Sequence, residues 1–364
     1  MFQYSIHVLL LFLLILPLLQ IPARPTPKFT PEQVTVMAVK DINHAWQEFK
    51  SFRGARRGTR LTGISDLKKY FHRFGYLPAT QDGNFTDEFD ARLEQAVARY
   101  QVKHGLPESG ELTGETINQI TAPRCGVPDD PPPLHGMHET RNYAYFAGRP
   151  RWTRSLPMTL TYAFSPEHRI TSLTLSDIKA TFKRSFSRWA SVIPVTFSET
   201  DDYGFADIKI GFYSGDHGDG EPFDGVLGIL AHAFSPESGR FHLDAAETWA
   251  VDFGSEKSEA AVDLESVAIH EIGHLLGLAH SSVKGSIMYP SLKPRNQKLE
   301  MKVDDIKGIQ ALYGSNPNFN LSASLESAVT SSSQAAAAAA IDSKVGSPRW
   351  HLLVMIISLL LASN

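Results

Sequence analysis

Residues 270–280 read His-Glu-Ile-Gly-His-Leu-Leu-Gly-Leu-Ala-His, the pattern HExxHxxGxxH. On a helix, His270 and His274 share one face and can reach one metal ion. Glu271 between them can take a proton from a water that the metal activates. Gly277 lets the chain turn, and His280 closes a site of three imidazoles. Three neutral imidazoles leave zinc one open position, the arrangement of a catalytic rather than a structural ion. Met288 follows in Ser286-Ile287-Met288-Tyr289-Pro290 and is expected as an apolar floor under the histidines, not as a ligand. A bare HExxH arises by chance on polar helix faces. Gly277, His280 and the Met-Tyr-Pro run at these spacings make coincidence remote.

A second constellation lies upstream: His217, Asp219, His232 and His242. All are ligand types that zinc accepts, and four ligands with no open position would make a structural site. The run 214–225 is rich in Gly and Asp, and calls for something to tie it down. Asp224 starts a loop whose carbonyls could coordinate calcium, with Asp244 and Glu247 as further hard oxygen ligands. Scattered His and Asp residues also suit a plain solvated loop, and the residues alone do not decide between the two.

Several elements must hold these groups. The zinc helix is expected over 263–277 and a last amphipathic helix over 303–313, ending at Gly314. Met158, Leu160 and Tyr162 alternate with polar residues as a strand does, and so do Ile208, Ile210 and Phe212. Between them Thr174 and Asp177 can cap a helix whose buried stripe is Ile178, Phe182, Phe186 and Trp189. Strands with helices give one α+β domain over 142–314. Residues 31–121 are helical and amphipathic, with Phe89, Leu93, Val97 and Tyr100 at helical spacing. Pro131, Pro132 and Pro133 mark a stiff break, and 315–340 read as a flexible stalk.

The 364 residues suffice for about two domains with tails, and a net charge of −4 gives no reason to expect a nucleic-acid partner. Both ends are apolar. Residues 6–19 form a run that suits a secretory signal peptide within 1–23, with an uncleaved anchor as the alternative. Residues 352–362 form a second run, preceded by a polar spacer and by small residues. That is the order of a GPI-attachment signal over 341–364, with attachment near Ala338; a tail anchor or a stray apolar end is the alternative. With these ends the protein is expected on the outer face of the plasma membrane. Asn84 and Asn320 open sequons that could carry glycans on that route. Cys125 is the single cysteine, so no internal disulfide can form. It is either a buried inert thiol or a metal ligand. A monomer is expected.

The runs ADIKIGF (206–212), GDHGDG (215–220), PFDG (222–225) and LAHAF (230–234), with the zinc motif and DDIKGIQALYG (304–314), resemble the matrix metalloproteinase (matrixin) catalytic domain of the metzincin clan. PRCGVPD (123–129) is similar to that family's cysteine-switch motif. Residues 71–105 resemble a small peptidoglycan-binding-like helical module. With no hemopexin-like domain expected and a GPI-like tail, the likeness is to plant-type members.

The resemblance implies a mixed twisted sheet with three helices, preceded by a pro-domain over 24–141. It implies a zinc endopeptidase with Glu271 as general base and His270, His274 and His280 as catalytic ligands. In a latent form Cys125 would occupy zinc's fourth position, with Arg124 and Asp129 paired to hold that loop. His217, Asp219, His232 and His242 would hold structural zinc. Asp224, Gly225, Leu227, Ile229, Asp244 and Glu247 would hold one calcium, Gly225, Leu227 and Ile229 through carbonyls. Family members often carry an Asp where Arg240 stands, so a second calcium near Asp207 is not expected. Substrates would be extracellular proteins or peptides, pairing with a strand inside 225–234, with Tyr289, Pro290 and Ser291 lining the specificity pocket. The rival reading is a surface protein that binds cell-wall glycan, with a purely structural metal domain.

Overall fold

The computed structural model of the chain describes residues 44–79, 84–129, 143–155 and 157–320. The expected signal peptide, the Pro131–Pro133 break, Ala338 and the GPI signal lie outside the described residues.

Behind a short helical stretch, 44–52, the N-terminal module is built on three longer helices, α1 (Ile64–Arg73), α2 (Ala91–Lys103) and α3 (Gly114–Ile120). The helical stripe of aromatics becomes its core: Phe71, Phe74, Tyr76, Phe89 and Tyr100 are all fully buried. Phe89 lies just ahead of α2 rather than on it, because Asp90 caps the helix by accepting from Leu93 N at 2.9 Å. The same apolar cluster takes in Phe223 and Ile229, which joins the module to the second half of the chain.

The second half is a sheet with three helices. After β1 (Arg124–Cys125) and β2 (Ala144–Tyr145) come β3 (Met158–Phe164), α4 (Leu175–Val192), β4 (Val195–Glu199), β5 (Ile208–Tyr213), β6 (Ile229–Ala233) and β7 (Arg240–Asp244). Short pairs β8 (Trp249–Ala250) and β9 (Val262–Asp263) lead into α5 (Leu264–Leu275), then β10 (Leu278–Ala279) and α6 (Val303–Tyr313). The six-stranded sheet runs β1-β6-β7-β5-β3-β4, parallel except for the antiparallel β6–β7 pair. This is the expected α+β fold with a mixed sheet.

Helix α5 is buried on every side, the signature of a central helix rather than a surface one. Asp263 caps it, accepting from Ser266 N at 2.8 Å. Trp189 on α4 and Trp152 each donate an indole N–H to an α5 carbonyl, at Ile269 and Leu275, both at 2.9 Å. Gly277 turns the chain at φ 105°, where a side chain would strike the Pro150 carbonyl.

Residues 315–319, expected as the start of a flexible stalk, are instead packed. Asn316 donates Nδ2–H to the Ala190 carbonyl at 2.8 Å and its backbone N–H to that of Val192 at 3.0 Å. Phe319 packs on the core. Polarity at 315–320 suggested a free linker, but those polar groups cap the carboxyl end of α4. At Asp207, Thr161 N donates at 2.8 Å and Arg154 forms an ion pair, so an arginine supplies the positive charge there.

Candidate metal centres and cleft

Helix α5 sets His270 and His274 one turn apart, and β10 returns His280 to meet them. The three Nε2 atoms lie 3.1, 3.1 and 3.3 Å from one another. A tetrahedral zinc with bonds of about 2.0–2.1 Å holds its nitrogens about 3.3 Å apart, so the set fits that ion. The protons confirm the sense of the site. His270 Nδ1 donates to the Ile287 carbonyl and His274 Nδ1 to that of Leu278, each at 2.7 Å, and His280 Nδ1 donates to the Asp129 carboxylate at 2.7 Å. All three Nε2 lone pairs therefore face one point, a repulsive arrangement without a cation. Burial holds all three imidazoles neutral, with His280 lowered to about 4.

Cys125 joins this centre from β1, its Sγ 3.4 Å from His274 Nε2. Burial pushes the thiol up and the Glu271 carboxylate adds to this, outweighing the Val127 amide and Arg124; a metal ion at the histidines would favour the thiolate. Both oxygens of Glu271 are buried without a partner, and burial pushes its carboxyl up to about 8.

The strand carrying Cys125 is gripped on both sides. Arg124 N donates to the carbonyl of Gly228, just ahead of β6, at 3.0 Å and Gly126 N to that of Ala231 on β6 at 2.8 Å. Opposite, Cys125 N donates to Pro290 O at 2.9 Å and Leu292 N to Pro123 O at 3.1 Å. Gly126 is required here, since a Cβ would stand 2.7 Å from Ile229 Cγ2. The backbone edge expected to pair with a peptide, within 225–234, is thus occupied by 124–126. A small cavity opens beside it, lined by Cys125, Glu271, Tyr289, Pro290, Ser291 and others.

Arg124 and Asp129 pair as expected, at 2.5 and 3.0 Å with neither side chain exposed. Burial alone would raise the Asp129 carboxyl; Arg124 and the hydrogen bond from His280 hold it well below the usual carboxylate range. Tyr76 OH also donates to it at 2.8 Å, and Phe74 lies 3.7 Å under the guanidinium.

The second constellation also converges. Asp219 Oδ2 lies 2.9 Å from His217 Nε2, 2.9 Å from His232 Nε2 and 2.8 Å from His242 Nδ1. His232 on β6 and His242 on β7 face each other across the antiparallel pair. Burial lowers both to about 4, so these too are neutral donors to a metal.

The acidic group is gathered around the loop before β6. Gly225 N donates to Asp244 at 3.1 Å, Leu227 N to Glu247 at 2.8 Å and Ile229 N to Asp224 at 2.7 Å. These amide bonds draw the loop 225–229 onto the three carboxylates. Glu247 Oε2 is buried and unpartnered. Burial, with the neighbouring carboxylates, pushes Asp244 up to about 6 and Glu247 up to about 9.

Some functional residues carry no motif. Asp305 accepts from Ser286 Oγ, Ile287 N and Met288 N at 2.5–3.1 Å and so holds the turn that bears Met288. Its place at the start of α6, accepting from Lys302 N at 2.8 Å, marks it as a capping residue, and only the fold shows its second task. Lys298 lines the cavity beside Tyr289 and Ser291. Asn84 and Asn320 are both exposed.

Comparison with known proteins agrees with this geometry. A family model described as Matrixin matches residues 151–314, and one described as a putative peptidoglycan binding domain matches 60–120. Metalloendoproteinase 4-MMP of Arabidopsis thaliana is 57% identical over 265 residues, covering 72% of this chain and 76% of that protein. Metalloendoproteinase 1-MMP of the same plant is 52% identical over 307 residues, 82% of each. Matrix metalloproteinase-20 of Homo sapiens is 38% identical over 256 residues, 68% of this chain and 47% of that one.

Proposed function

The chain belongs to the matrixin family of zinc metalloendopeptidases, and from that premise we propose that it is a secreted enzyme made as a latent precursor, with Cys125 as its inhibitor. The observation that carries this reading is the placing of Cys125 Sγ among three converging imidazoles, 3.4 Å from His274 Nε2. Zinc in such a set supplies the Lewis acidity that makes water nucleophilic near neutral pH.

The protein's own groups do the rest. Once residues 124–126 leave, β6 and the 290–292 segment can hold an extended peptide by backbone pairing. Its side chain enters the cavity between Val267, Tyr289 and Leu292. Glu271 takes the proton from the attacking water and hands it to the leaving nitrogen. A glycan-binding protein with a purely structural metal domain would have no use for a buried, unpaired Glu271.

In this reading residues 24–141 are the pro-domain and 142–314 the core of the protease. His217, Asp219, His232 and His242 hold a structural zinc. Asp224, Asp244 and Glu247, with carbonyls of Gly225, Leu227 and Ile229, hold a calcium. The amino-terminal apolar run directs secretion, the carboxy-terminal signal attaches a GPI lipid near Ala338, and Asn84 and Asn320 carry glycans. Extracellular proteins are the substrates.

The test is a peptide-cleavage assay on the full chain, the trimmed chain and Cys125→Ala. The full chain should be silent, and the trimmed chain active and chelator-sensitive. The alanine variant should be active without cleavage; if it stays silent, Cys125 is not the inhibitor.

A further inference from the structure

Each of the three converging imidazoles has its second nitrogen fixed by a hydrogen bond, but the partners differ in origin. His270 and His274 donate to the Ile287 and Leu278 carbonyls, groups of the protease itself. His280 donates to Asp129, on the far side of the expected cleavage region. The backbone of His280 is held from that side too, its carbonyl accepting from Lys103 Nζ at 3.2 Å. We infer that Asp129 is a positioning residue for the metal as well as the partner of Arg124, so that the latent chain grips its zinc through His280 more firmly than the cut enzyme does. This rests on the latency proposed above.

The hydrogen-bond count supports it. A carboxylate offers about four acceptor sites. Asp129 fills them with two bonds from Arg124, one from Tyr76 and one from His280. A carboxylate paired to a guanidinium can only accept, so the imidazole proton stays on Nδ1 and the Nε2 lone pair faces the metal. Carboxylate partners of metal-bound histidines orient the ring and raise its basicity, and losing one typically costs about 10–100-fold in metal affinity. Removal of the pro-segment takes away Cys125 and this carboxylate together, so two restraints on the metal end in one cut.

The experiment uses the full chain loaded with cobalt(II). Thiolate-to-cobalt absorption reports whether Cys125 is bound, and transfer of cobalt to a chelator reports how firmly the metal is held. Asp129→Asn should keep the thiolate band yet lose cobalt at least about tenfold faster than the parent chain. A kept band with an unchanged rate would overturn the inference. So would a lost band with loss no faster than in Cys125→Ala, since Asp129 would then only close the loop. If Asp129→Asn fails to fold because Arg124 is left unpaired, Arg124→Met is compared with Arg124→Met/Asp129→Asn, and equal loss rates overturn it. A parent chain with no thiolate band at all would instead sink the latency on which the inference rests.

Discussion

Met288 Sδ lies under Gly273, only 2.3 Å from where a Cβ on that glycine would stand, with Trp189 Cζ2 at 3.0 Å. The floor of the three-histidine centre is therefore pressed against the helix that carries two of its ligands, and the residue before His274 has no room for a methyl group. Gly273→Ala should displace Met288 and destabilise the chain by about 1–3 kcal/mol, the usual range for overpacking. Denaturant midpoints of the metal-loaded protein measure this. An unchanged midpoint would mean the floor is soft.

Glu271→Gln separates fold from chemistry. The carboxylate is fully buried with no partner, and a neutral amide of the same shape relieves that desolvation. The variant should keep its metal and be at least as stable as the parent. In the trimmed form its turnover should fall by about 10²–10⁴, the range for losing a general base. Metal content by elemental analysis and kcat on a peptide substrate decide it; near-parental kcat would remove Glu271 from the mechanism.

Much of this site was legible in the sequence because its chemistry is local. His270 and His274 lie one turn apart, so the helix period alone aims them at one point, and Gly277 marks the turn that returns His280. The Cys125 role needed the family likeness, since no spacing rule joins positions 149 residues apart. What stayed hidden comes from strand pairing and buried side chains. The four bonds that hold residues 123–126 between β6 and 290–292 are backbone contacts open to many sequences. The Asp129–His280 bond spans 151 residues and has no local signature. Residues 315–319 misled for the opposite reason: their polarity suits a linker, and they use it to cap α4.

Asp305 offers a test of how the Met288 turn is held. Its buried carboxylate collects donors from Ser286, Ile287, Met288 and Lys302. Asp305→Ala leaves them unanswered and should cost about 3 kcal/mol or more, since bonds to a charged group are worth about 1.5–3 each. The Ile287 carbonyl also fixes His270, so zinc affinity should fall with stability. A stability loss with zinc affinity unchanged at a temperature where the variant is folded would show that the turn does not orient the ligand.

Glu247→Gln tests the acidic cluster. Asp244 and Glu247 are buried, and Asp224 and Asp244 both push the Glu247 carboxyl upward. Three amides of the loop 225–229 already neutralise part of that charge, but Glu247 Oε2 remains unpartnered. Without a cation, burial keeps Glu247 protonated at neutral pH at a cost in stability that an amide does not carry, so the variant should melt higher than the parent in calcium-free buffer near pH 7. With calcium the order should reverse, because a hard cation gains more from a carboxylate than from an amide. Melting curves with calcium and with a calcium-selective chelator measure both arms. If the variant keeps the parent's full calcium-dependent rise, Glu247 is not a ligand. The effect should reach catalysis as well, because this loop feeds β6, the strand whose edge holds residues 124–126 and in the cut enzyme is proposed to hold the substrate. Calcium removal should therefore raise KM of the trimmed parent more than it lowers kcat.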